Sequence, residues 1–143
     1  MQKRTDISQQ LRTADPDGGF IVTSRDVPEV VTQGDSRTHA ITEAEGALQA
    51  TIEMRMQDGM AIPPVTDMQA EEEWVALPIA TALKAALYLT MREQGLSSVE
   101  LAGRLGVNEQ EARRIVQEAE QGHIPALETA LHSLGKRPEL HVA

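Results

Sequence analysis

Carboxylates crowd one short stretch of this chain. In "DPDGGFIVTSRDVPEVVTQGDS", residues 15–36, acids surround a glycine pair and two short apolar runs. Several carboxylates converging from strands could hold two divalent cations, activate water and hydrolyse RNA. Asp26, Glu29 and Asp35 instead fall at strand ends and in turns, where acids commonly make local bonds or keep a surface soluble. No further acid on a strand completes the set. The pattern therefore points to a binding surface rather than a nuclease centre.

A second stretch, "SVELAGRLGVNEQEARRI" (residues 98–115), carries a different chemistry. Two crossing helices need a small residue at their contact, which Ala102 supplies. Four residues later Gly106 suits a left-handed turn. Ser97 with Glu100 forms a capping box, and Asn108 with Glu111 caps the following helix. Leu101, Leu105, Val107, Ala112 and Ile115 fall where the core needs apolar groups. The spacing is that of a helix-turn-helix, a unit that reads DNA but also serves in protein binding. If it reads DNA, the second helix enters the major groove by its first turns, presenting Asn108, Gln110, Arg113, Arg114 and Gln117. Asn or Gln pairs with adenine and Arg with guanine or phosphate. Gln110 and Arg113 are expected on bases, Arg114 and Ser97 on the backbone.

Other chemistries find less support. The four histidines lack metal-ligand spacing, and the chain has no cysteine, so neither disulfides nor thiolate metal sites arise. The pair Gly18-Gly19 is a lone turn, not a phosphate-binding loop. Aromatic residues make up 2% of the chain, which leaves no stacking platform for single-stranded RNA and requires an aliphatic core. No metal or other cofactor is expected.

The formal charge of −9 is uneven: residues 1–74 hold 6 basic and 14 acidic residues, and residues 75–143 hold 7 and 8. An acidic half attracts basic partners. The start "MQKRTDISQQ" lacks the apolar stretch of a signal peptide, and no run reaches the length of a membrane span, so a cytoplasmic protein is expected.

These groups must be carried by two kinds of structure. Residues 18–33 read as a turn, "FIVTS" as a strand and "EVVTQ" as a second, separated by Pro28. The segment "QKRTDISQQLRTAD" alternates poorly, so support for a strand before them is weak. A helix starts near Ser36, with Ile41, Ala44, Leu48, Ile52 and Arg55 on one stripe, and ends at Asp58-Gly59. Residues 67–73 read as a linker, placing one domain at 1–66 and another at 74–143. The second domain begins with a short strand over Trp74–Leu77 and continues as helices. Its helices break at Gly95, Gly106, Gly122 and Gly135, and "PELHVA" forms a weak final strand. The fold expected is α+β: an antiparallel sheet with one helix, then an all-α domain.

Both halves in this order resemble the HicB family of antitoxins. The resemblance rests on "DGGFIVTSRDVPEVVTQGDS", "EAEGALQA", "DGMAIPPV", "LPIATALKAALYL" and the Cro/repressor-like segment Ser97–Gly135, and covers about residues 16–143. One departure is His39, where the family usually has a glutamate. The resemblance implies a partial RNase H-like first domain without catalysis. This domain binds and neutralises a HicA-type toxin, a small basic ribonuclease, and the second domain represses its own operon by binding operator DNA. Phe20, Asp26, Val27, Glu29, Val31 and Asp35 become the candidate toxin contacts. A dimer or tetramer is expected through Val75, Leu77, Leu140 and Val142. The rival readings are a helix-turn-helix repressor that senses a small ligand, and a nuclease related to RNase H.

Overall fold

A computed structural model describes residues 9–13, 19–63, 69–70, 72–75, 77–117, 124–140 and 142. The chain divides into two compact units, Met1–Pro78 and Ile79–Ala143.

The first unit is a four-stranded antiparallel sheet with one helix against it. Its strands are β1 (Gln9–Thr13), β2 (Phe20–Ser24), β3 (Val31–Gly34) and β4 (Glu72–Val75), in the order β3-β2-β1-β4. Phe20 pairs with Gly34, Thr13 with Val22 and Gln9 with Val75, which fixes the register across the sheet. Strand β1 forms where its own sequence supports a strand least. It lies inside the sheet, with Leu11 opposite both Ser24 and Glu73, so neighbours on two sides supply what propensity does not.

Helix α1 (Arg37–Gln57) packs on β2 and β3. Ser36 caps it, its side chain accepting from His39 N, and Gly59 leaves it at φ 67°. Its buried stripe is Ala40, Ala44, Leu48, Thr51 and Ile52. Ile41, expected on that stripe, is only half buried because Ala40 takes the place against the sheet. Gly34 permits the close approach. A Cβ there would lie 2.6 Å from Ala40 N and 2.8 Å from His39 Nδ1. The core is aliphatic, with Val22, Val27, Val30, Leu48 and Ile52 fully enclosed.

The second unit contains α2 (Ile79–Gln94), α3 (Ser98–Leu105), α4 (Glu109–Gln117) and α5 (Ile124–Ser133). Leu87, Met91, Leu101, Ala102, Ala112, Ile115, Leu127 and Leu131 form its core. Along α2, Ile79 is exposed while Leu87 and Met91 are buried.

Two sequence expectations need correction. The linker expected over 67–73 runs into β4, and Trp74 and Val75 belong to the first unit's sheet, not to the helical unit. Glu72 and Glu73 read as part of a linker because nothing local marks a strand; pairing with β1 makes one. The tail is the other case. Leu140 is 70% and Val142 88% exposed, and neither lies in a strand. A single short segment without a paired neighbour has no ladder to join. The Asp15–Gly18 turn and Gly122 lie outside the described residues.

Candidate functional site

Two of the first unit's acids, Asp26 and Glu29, lie in the connection between β2 and β3. Pro28 and the buried Val27 and Val30 shape this loop: Val27 N donates to Ser24 Oγ at 3.2 Å, and Val30 N to the Val27 carbonyl at 3.0 Å. Outside the loop, Arg55 of α1 grips Glu29. Its Nε donates to Glu29 Oε2 at 2.9 Å and its Nη2 to Oε1 at 2.7 Å, while Nη1 donates to the Ala61 carbonyl at 3.1 Å. The hydrogen bond from Arg55 holds the Glu29 carboxyl below its ordinary pKa, with the guanidinium charge adding to it and partial burial opposing.

The candidate contacts therefore separate. Val31 is 65% exposed on the edge strand β3, and Asp35 is exposed where the chain enters α1. Phe20 and Asp26 are half buried. Val27, at 0% exposure, is a core residue and presents nothing to a partner. Its neighbours in sequence are turn formers, so periodicity gave no sign that the loop folds inward. Glu72 was read only as linker charge. Its carboxylate is buried, accepts from Gln69 N at 2.6 Å and lies 3.4 Å from Arg25. Among the described residues no group of three or more His, Asp or Glu side chains is placed to hold a metal ion. A cleft of about 350 Å³ beside α1 is lined by Thr42, Glu45, Gly46, Gln49, Leu77 and Pro78, a mixed polar and apolar wall.

In the second unit α3 and α4 meet through a tight turn. Ser97 Oγ accepts from Glu100 N, Gly106 takes the left-handed conformation at φ 67°, and Val107 N donates to the Ala102 carbonyl. Leu101, Ala102, Ala112 and Ile115 are buried, and Leu105 packs against them, while Val107 is 37% exposed. Asn108 Oδ1 accepts from Glu111 N at 2.8 Å, so its oxygen serves as a cap. Gln110, Arg113, Arg114 and Gln117 are exposed along α4. Lys84 of α2 donates to the Gln117 carbonyl, fixing the end of α4 to its neighbour. Leu140 and Val142 stay exposed, whereas Val75 and Leu77 are buried within the first unit.

The arrangement is that of an α+β protein in two units, an acidic sheet unit followed by a helical one. Residues 9–86 match the family described as "HicB_like antitoxin of bacterial toxin-antitoxin system". Antitoxin HicB 2 of Photorhabdus laumondii is 36% identical over 122 residues, 85% of this chain and 86% of the relative. Antitoxin HicB of Pseudomonas fluorescens is 32% identical over 133 residues, covering 92% and 91%. Antitoxin HicB of Escherichia coli K12 is 29% identical over 128 residues, covering 90% and 93%. The chain belongs to the HicB-like antitoxin family of bacterial toxin–antitoxin systems. Among the described residues no helix is long and apolar enough to cross a membrane.

Proposed function

We propose that the first unit binds and neutralises a HicA-type toxin, a small basic ribonuclease, and that α3 and α4 bind operator DNA to repress the operon. The observation that carries this reading is the separation of charge between two independent cores. The sheet unit holds all but one of the net negative charges, and the helical unit exposes the polar face of α4. A ribonuclease needs a positive surface to hold RNA, and an acidic partner can occupy it; opposite charge then speeds the encounter. Phe20, Asp26, Glu29, Val31 and Asp35 supply the contact surface, with Val27 supporting it from beneath. Binding rather than hydrolysis fits Glu29, whose carboxylate is committed to Arg55.

A single copy with so few basic groups would hold DNA weakly, because phosphate neutralisation supplies most non-specific affinity. We therefore read the protein as a dimer or tetramer that uses Leu140 and Val142 of the tail. The cytoplasm, where mRNA and promoter both lie, is its place of action.

Purified protein, mixed with a HicA-type ribonuclease, should stop that enzyme's RNA cleavage, with association slowing as salt rises. On DNA, Arg113→Ala should cost about 1–3 kcal/mol on the operator and relax preference at one position. Arg114→Ala should weaken operator and scrambled duplexes alike and lower the salt slope by about one ion. Neither change should alter toxin neutralisation. Equal losses on both duplexes for both variants would remove the base-reading role of Arg113.

A further inference from the structure

Each arginine of α4 is held by a glutamate of the same helix. Arg113 Nη2 lies 2.5 Å from Glu109 Oε1, and Arg114 Nη1 lies 3.5 Å from Glu111 Oε2. All four side chains are about half exposed. Exposed pairs of this kind contribute little to folding. Their larger consequence is electrostatic: from Glu109 to Gln117 the helix carries two positive and two negative side chains and no net charge.

We propose that Glu109 and Glu111 are specificity-determining residues, internal counter-ions that keep Arg113 off phosphate and weaken the sequence-independent phosphate contact of Arg114. The inference rests on the reading of α4 as a recognition helix. An arginine that leaves its glutamate for a phosphate exchanges one ion pair for another. The abandoned carboxylate then sits near the negative backbone without a partner. A G·C base pair changes that balance. Guanine offers two acceptors to the arginine, and the cytosine amino group offers a donor that a carboxylate can accept. Both members of the released Arg113–Glu109 pair are then satisfied at once. Arbitrary DNA is held poorly, and sites with G·C pairs under α4 are favoured.

A purely structural role predicts the opposite sign. Glu109 and Glu111 lie in the first turn of α4, where acids complement the helix dipole. If that were their whole contribution, removing them would loosen α4 and weaken binding to every duplex.

The test compares the full-length protein with Glu109→Gln/Glu111→Gln, and with Glu109→Gln alone in case the double change impairs folding. Equilibrium binding is measured over a salt series on the fragment upstream of its own gene and on a scrambled duplex of equal composition. Binding to the scrambled duplex should strengthen roughly 5- to 30-fold, with a slope steeper by about one to two ions. Preference for the upstream fragment should shrink correspondingly. Scrambled binding that is unchanged or weaker in both variants, while the parent still prefers its upstream fragment, overturns the counter-ion role alone. A parent that binds neither duplex at low salt overturns the recognition reading, and the counter-ion role with it.

Discussion

Arg55 ties α1 to the β2–β3 loop, 26 residues away, through Glu29, and to the turn just after α1 through the Ala61 carbonyl. Because the Glu29 pKa is depressed in the folded protein, the pair stabilises the fold above the ordinary carboxyl value of 4.5. That contribution is lost as pH falls through the lower, folded-state value. Arg55→Met should therefore destabilise the first unit at neutral pH by roughly 0.2–1 kcal/mol, within the range of partly exposed pairs. The gap between variant and parent should close as pH drops below about 4.5. Urea melts at a series of pH values check it, and a gap that widens toward acid would show that the pair is not the cause. Neither partner was legible in the sequence as half of a pair. Glu29 read as a free surface acid and Arg55 as the end of a helical stripe, and only the folding of the loop onto α1 brings them together.

Helices in the second unit were legible because their signals are local. Ser97, Asn108 and Gly106 each act on backbone groups within four residues, and all three do so in the structure. Gly106 gives a quantitative check. It sits at φ 67°, yet a Cβ there would meet nothing within 4 Å. The penalty for a side chain is therefore backbone strain alone. Gly106→Ala should cost about 1–2 kcal/mol. Gly106→Asn should cost less, since asparagine tolerates the left-handed region better. Thermal melts of the two variants decide it; equal losses would mean that side-chain crowding, not conformation, sets the penalty. Strands were harder to read, because their stability comes from partners distant in sequence. Glu71, Glu72 and Glu73 look alike in the sequence, yet Glu72 is buried against Arg25 and Gln69 N in a strand that β1 completes. The exposed end of α4 was legible as a polar face, but the Lys84 bond to Gln117 that positions it spans 33 residues and left no mark.

At the scale of the whole molecule the decisive feature is where the first unit ends. The core of the sheet unit includes Val75 and Leu77, and β4 covers one edge of β1. A fragment ending at residue 68 loses both side chains, each stabilising by about 1.5–3 kcal/mol when buried. It also strips Arg25 of the Glu72 carboxylate and leaves β1 with unpaired backbone groups, a template for aggregation. The sum is comparable with the stability of a small domain, about 5–15 kcal/mol. A fragment ending at Pro78 keeps all of these contacts and stops where the chain divides. Residues 1–78 should therefore melt cooperatively and retain toxin neutralisation, whereas residues 1–68 should be largely unfolded or aggregated and neutralise poorly. Circular dichroism melts of the two fragments, followed by inhibition of the toxin's RNA cleavage, test both halves of this expectation. If residues 1–68 melt with the same midpoint as residues 1–78, β4 contributes nothing to the first unit. If residues 1–78 fold but fail to neutralise while residues 79–143 succeed, the acidic sheet is not the toxin's partner, and the roles assigned to the two units are exchanged.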